Sequence, residues 1–297
     1  MKNDSTTVYI FPGQGSQAIG MGRELFDKYP HLVRQADEIV GYSIKELCLE
    51  DPQGVINLTQ YTQVALYVVN SLGYLEEVRQ KGVLPDFLAG HSIGEFNALF
   101  AAGAFDFLTG VEIVAKRGEL MEKASGGGMA AVIGMPPEKI SQFVGGNGNN
   151  RLSIANLNSP QQIVIAGPKE DIEQAIPVLK KNGAEMVIPL KVSAAFHSPY
   201  MNDAAEEFRN FLGQYRMAEL RIPVISNYTA RPHQDKELVE NLSLQLRSPV
   251  RWTESVEYLL EYSNPMFIEI GSRNILTKLV NQIKTEVNSI KGLTEVK

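Results

Sequence analysis

Between Gly126-Gly127-Gly128 and His197 the chain changes texture, and this change restricts the fold more than any other feature. A strand-like segment (129–133) is followed by a helix opened by Pro136-Pro137-Glu138, two more strands (152–156 and 162–166), a helix (169–182) and a last strand (185–192). That is a βαββαβ order, the pattern of a ferredoxin-like unit. On either side of it, strand-like segments (8–11, 87–89, 224–227 and 266–270) alternate with helical ones. Alternation of this kind points to an α/β domain with a mostly parallel sheet. The expected organisation is a large hydrolase-like α/β subdomain made from residues 1–128 and 198–297, with a small ferredoxin-like subdomain, 129–197, inserted into it. The glycine run is the expected hinge.

With 297 residues, 44% of them apolar and 21% charged, the chain is long enough to bury a proper core. Its longest apolar runs, such as 98–105, fall far short of the roughly 20 residues that cross a bilayer. The N-terminus passes into a strand-like segment without a signal-peptide pattern, so the cytoplasm is the expected location, with no membrane partner. The net charge of −6 argues against a nucleic-acid partner, which would call for clustered Lys and Arg. Lys180-Lys181, Lys191, Lys278 and Lys284 could form a local basic patch or be scattered surface lysines. Cys48 is the only cysteine, which excludes an internal disulfide and a multi-thiolate metal site; on the apolar stretch Leu47-Cys48-Leu49 it reads as core.

Gly90-His91-Ser92-Ile93-Gly94 lies between a short buried strand and the apolar helix 96–102. A serine at such a turn, flanked by glycines, has the layout of a nucleophile elbow. Ser92-Ile93-Gly94-Glu95 also fits a capping box, in which the serine and the glutamate satisfy free N–H groups at a helix start. The segment alone leaves both readings open, so a base has to be found. His31 and His233 sit in turn-like, surface contexts, and His91 points to the opposite face from its neighbour Ser92. His197 remains, where the inserted unit rejoins the large one and a cleft would form; a satisfied core histidine is the competing reading. Arg117 falls on an apolar helical stripe with Leu108, Val111, Val114 and Met121, so it faces inward. A buried guanidinium must meet an anion, either a protein carboxylate or a ligand. Phe11-Pro12-Gly13-Gln14-Gly15-Ser16-Gln17 lacks the Lys-Ser/Thr ending of a phosphate loop, but its glycines suit an oxyanion hole.

These segments, with Thr62-Gln63-Val64-Ala65, Lys116-Arg117-Gly118, Ala155-Asn156-Leu157-Asn158-Ser159-Pro160, Phe196-His197-Ser198 and Gln245-Leu246 followed by Ser248-Pro249-Val250-Arg251-Trp252, resemble the malonyl-CoA:acyl carrier protein transacylases and the related acyltransferases of polyketide synthases. The resemblance runs over nearly the whole chain and departs at Ala194, where relatives often have glycine. It implies the same hydrolase-like fold with a ferredoxin-like insert. It further implies that Ser92 is the acylated nucleophile, His197 its base and Arg117 the holder of the malonyl carboxylate. The N–H groups of Gln14 and Ile93 would form the oxyanion hole, the main-chain carbonyl of Gln245 would orient His197, and Gln63, Asn156 and Phe196 would shape the acyl pocket.

The implied reaction moves malonyl from the coenzyme A thioester to Ser92 and on to the phosphopantetheine thiol of an acyl carrier protein, with ping-pong kinetics and no metal or redox cofactor. The segments 41–48 and 223–227 look more like discrete acyltransferases that serve polyketide synthases in trans than like the fatty acid synthesis enzymes. The rival readings are an acyl hydrolase that clears carrier proteins, a lipase-like esterase and a non-catalytic carrier-binding module. An inward Arg117 has no use in a hydrolase of neutral chains, and no acid is compelled between Ser92 and His197.

Overall fold

Two sheets divide the molecule. The computed structural model describes residues 5–144 and 151–294, with side chains described as far as Ser289; residues 145–150, inside the expected insert, and the two chain ends lie outside the described residues. In the first sheet β1 (Thr7–Phe11), β2 (Phe87–Gly90), β7 (Val224–Ile225) and β8 (Met266–Glu269) run parallel in the order β7-β2-β1-β8. Both faces of its central strands are buried, which is why they read as continuous apolar runs. Tyr9, Phe11 and Leu88 pack into one apolar cluster, while Val8, Ile10, Phe87 and Ala89 pack on the other face with Trp252 and Ile283.

The second sheet is antiparallel, in the order β4-β5-β3-β6, from β3 (Gly127–Ile133), β4 (Ser153–Ser159), β5 (Gln162–Pro168) and β6 (Met186–Pro189). With the helices Pro137–Ile140 and Lys169–Lys181 this is the ferredoxin-like order read from the sequence. Alternation sorts its side chains. Ala130, Val132, Ile163 and Ile165 meet the two helices, whereas Met129, Ala131, Val164 and Ala166 join the core of the large unit.

Of the glycine run only Gly126 precedes the sheet, at φ +77°; Gly127 and Gly128 are already in β3. A Cβ on Gly127 would lie 2.2 Å from the Ala195 nitrogen, so the two chain crossings between the units lie side by side. Ala194 is buried without a positive φ, and its backbone does not need the glycine common in relatives. The sixth predicted strand runs to 192, whereas β6 ends at Pro189, with one further bond to β3 from the Leu190 N–H to the Met129 oxygen at 2.9 Å.

Helix contacts position the site. The long helix Thr59–Lys81 packs against the helix Phe107–Lys123 through two glycines. A Cβ on Gly110 would fall 1.8 Å from the Tyr67 hydroxyl, and one on Gly118 2.9 Å from the Gln60 Cα. That close approach carries Arg117 to Gln63. The buried stripe of the second helix runs through Gly110, Val111, Val114, Arg117, Gly118 and Met121; Leu108, placed on it by the sequence, is only half-buried. His31 is exposed, on the helix Pro30–Val40 rather than in a turn, because Pro30 serves as its first residue. Among the described residues no helix is long and apolar enough to cross a membrane.

Candidate active site

Ser92 follows β2 at φ +53°, a left-handed conformation that costs a non-glycine residue roughly 1–3 kcal/mol. The flanking glycines are required by space. A Cβ on Gly90 would lie 2.0 Å from the Gly94 carbonyl, and one on Gly94 2.1 Å from the Phe11 oxygen. No side-chain cap opens the helix Gly94–Ala102; the Ser92 hydroxyl instead lies 2.8 Å from Nε2 of His197. The capping-box reading therefore fails.

His197 is buried and also has a positive φ, +56°. Its Nδ1 lies 2.7 Å from the Gln245 main-chain oxygen. A carbonyl only accepts, so Nδ1 carries the hydrogen, and the neutral ring offers its Nε2 lone pair to the serine hydroxyl. No carboxylate touches His197 among the described residues, so a main-chain carbonyl stands where a Ser-His-Asp arrangement has its acid. Burial, then the Arg117 charge, hold the pKa of His197 down at about 3 against an ordinary 6.5. The ring is neutral at physiological pH.

Arg117 is 1% exposed and reaches the same hydroxyl, its Nη2 donating to Ser92 Oγ at 3.2 Å. Nη2 also donates to Gln245 Oε1 at 2.8 Å and Nη1 to Gln63 Oε1 at 2.6 Å, while the guanidinium carbon lies 5.3 Å over the Phe96 ring. Burial lowers its pKa to about 9, so it remains a cation at pH 7. Among the described residues no carboxylate pairs with it directly, and its Nε has no acceptor. A buried cation held only by neutral amides and a hydroxyl is costly, and an anion beside it is correspondingly favoured.

The Phe11–Gln17 loop lies against the elbow: the His91 N–H donates to the Phe11 oxygen at 3.0 Å, and a Cβ on Gly13 would meet the His91 oxygen at 2.4 Å. Neither the Gln14 nor the Ile93 N–H donates to a protein acceptor among the described residues. The elbow and this loop sit at the carboxyl ends of β2 and β1, the edge where open parallel sheets bind ligands.

The structure does not bring every expected residue into this cluster. Gln63 braces Arg117. Asn156, on β4 beside Val250, has no side-chain hydrogen bond to another described residue, and Phe196 is buried in the apolar core next to His197. His91 turns away to Asn158, its Nε2 2.8 Å from Oδ1. His233 overturns its surface assignment. Its side chain is fully buried and Nε2 lies 2.6 Å from Glu95 Oε1, because a bridge from Pro232 to Ile225 folds the segment back beside β7.

Sequence reasoning missed Glu95, Asn227 and His233. Asn227 accepts the Ser92 N–H on Oδ1 at 2.6 Å and donates from Nδ2 to the Gly90 oxygen at 2.6 Å, which fastens the elbow on both sides. Glu95 had a signal: a carboxylate in an apolar helix must find buried donors. The Cys48 thiol is buried, and burial pushes its pKa up to about 12, so it is not a nucleophile.

A hydroxyl held between a neutral imidazole and a buried cation, on the elbow of a parallel α/β sheet, is an arrangement suited to acyl transfer. The chain belongs to the acyl transferase family, whose "Acyl transferase domain" matches residues 8–296. It is 50% identical over 283 residues to the polyketide biosynthesis malonyl CoA-acyl carrier protein transacylase of Bacillus subtilis, covering 95% of this chain and 98% of that one. The crystal structure of malonyl CoA-acyl carrier protein transacylase from Burkholderia pseudomallei superposes with a TM-score of 0.91 at 45% identity, covering 94% and 98% of the two chains. A type II PKS acyl-carrier protein in complex with its malonyl-transacylase contains a similar chain, with a TM-score of 0.87 at 34% identity and 94% and 93% coverage.

Proposed function

We propose that the protein takes malonyl from malonyl-CoA onto Ser92 and passes it to the phosphopantetheine thiol of an acyl carrier protein. The observation that carries this reading is Arg117: a buried cation with no carboxylate partner among the described residues, its Nη2 3.2 Å from Ser92 Oγ. His197 accepts the Ser92 proton as Oγ attacks the thioester carbonyl, and the Gln14 and Ile93 N–H groups receive the oxyanion. Coenzyme A leaves as the thiol, taking the proton back from His197. Esterification of Oγ removes the hydroxyl, and its Nη2 hydrogen bond is then available to the malonyl carboxylate. That carboxylate offsets the Arg117 charge, which is one of the two main causes of the low basicity of His197. In the second half-reaction His197 deprotonates the carrier thiol, which attacks the ester and regenerates Ser92.

Gln245 holds His197 through its carbonyl, while Gln63 fixes Arg117; a part for Asn156 and Phe196 in shaping the acyl pocket rests on the family resemblance alone. As proposed, the reaction calls for no metal or redox cofactor, and its use of a coenzyme A donor is in keeping with a cytoplasmic location. Service to a polyketide pathway rather than fatty acid synthesis is supported by the 50% identical relative and its name. An acyl hydrolase would share the Ser-His pair, and the inward cation argues against it.

Arg117→Ala tests the reading. Removing the partner of a buried carboxylate costs roughly 3–5 kcal/mol, so kcat/KM for malonyl-CoA should fall by about a hundredfold or more, and that for acetyl-CoA far less. Equal losses with both donors in a folded variant would make Arg117 a structural cation.

A further inference from the structure

Glu95 has no part in the mechanism above, yet its carboxylate is fully buried beside the site. Oε2 accepts the Asn227 N–H at 3.0 Å and Gln245 Nε2 at 2.7 Å, and Oε1 accepts His233 Nε2 at 2.6 Å. Asn241 Nδ2 lies 3.5 Å from the other nitrogen of His233, which fits an Nε2–H tautomer that donates to Glu95.

The amide of Gln245 links this carboxylate to the reacting groups. Its Nε2 donates to Glu95 and to the Ser92 main-chain oxygen at 3.0 Å, and its Oε1 accepts Arg117 Nη2 at 2.8 Å. Chemistry fixes that orientation, because a carboxylate and a carbonyl only accept and a guanidinium only donates. Turned over, the amide would set its NH2 against the cation and its oxygen against two acceptors. Through Asn227 the same carboxylate holds the backbone on both sides of the elbow.

We infer that Glu95 is a positioning residue that sets acyl preference: it locks the Gln245 amide so that Oε1 braces Arg117 beside Ser92, in the place where a substrate carboxylate is recognised. This inference rests on the reading of Arg117 as the seat of that carboxylate. Glu95 contacts neither Ser92 Oγ nor His197, so its effect is carried by Gln245 and Asn227.

The experiment measures acylation kcat/KM for malonyl-CoA and acetyl-CoA in the wild type, Glu95→Asp, Glu95→Gln and Arg117→Ala, with circular dichroism to confirm folding. Aspartate draws the carboxylate back from Gln245, and the malonyl-to-acetyl ratio should drop about tenfold, the scale of one lost buried hydrogen bond to a charged group. Glutamine keeps an acceptor for Gln245 and Asn227 and should hold the ratio within about threefold of wild type. A purely structural role would lower both donors together and leave the ratio unmoved. A wild-type ratio in Glu95→Asp, or an equal loss of ratio in Glu95→Gln, would overturn the inference. Should Glu95→Asp fail to fold, Gln245→Met takes its place. It removes the brace but keeps the main-chain carbonyl on His197, and an unchanged ratio there overturns the inference too. Arg117→Ala separates the two readings. If it retains the malonyl preference, the carboxylate seat itself is wrong; if it loses the preference while Glu95→Asp keeps it, only the positioning role fails.

Discussion

In the proposed reaction His197 can act as the base because it is held neutral. An ordinary histidine titrates near pH 6.5, and a base with that value would lose activity as the solution turns mildly acidic. Here burial and Arg117 bring the value to about 3. With a short malonyl thioester that lacks the phosphates of coenzyme A, kcat/KM for acylation should therefore be flat from about pH 5 to about pH 8. A falling limb centred on the ordinary histidine value would contradict this electrostatic picture. The same shift has a stability consequence. The folded pKa lies below the unfolded one, so the unfolded chain binds the proton first, and stability declines as pH falls from 6.5 towards about 3. Between pH 7 and pH 5 this amounts to about 2 kcal/mol. Urea midpoints at the two pH values should show a smaller difference in His197→Gln than in wild type.

At the scale of elements, the elbow is a packing problem solved by glycine. Gly94→Ala would put a methyl 2.1 Å from the Phe11 oxygen and 3.1 Å from the Pro12 oxygen, both main-chain atoms, and should cost about 3 kcal/mol or more. Gly41→Ala, at φ +80° with open space around it, should cost only about 1–2 kcal/mol. A urea titration that ranked the two in the opposite order would refute the steric account of the elbow. The strand-to-helix turn, the βαββαβ insert and the inward Arg117 were all legible, because each rests on local periodicity and spacing. His233 was not legible. Its burial comes from the bridge between Pro232 and Ile225, a contact that leaves no periodic trace in the sequence. The carbonyl role of Gln245 came only from the family resemblance; the bond from its side chain to Glu95 joins residues 150 apart and needs the fold to be seen. The spacing of Glu95 from Ser92 fits a cap as well as an elbow, and spacing does not tell where the side chain points.

On the scale of the whole molecule, the parallel sheet presents Ser92 and the Phe11–Gln17 loop at one edge, and the antiparallel unit returns the chain to that edge at His197. The Ser-His pair is thus closed across the junction between the two units. The proposed reaction uses Ser92 with the donor thioester and then with the carrier thiol, so it requires a covalent malonyl enzyme. Intact-mass spectrometry of the protein mixed with malonyl-CoA alone, followed by peptide mapping, tests it most directly. The expected result is a single added malonyl group on Ser92, absent from Ser92→Ala and discharged on addition of a carrier protein bearing a phosphopantetheine thiol. No adduct in the wild type, or an equal adduct in folded Ser92→Ala, would contradict it.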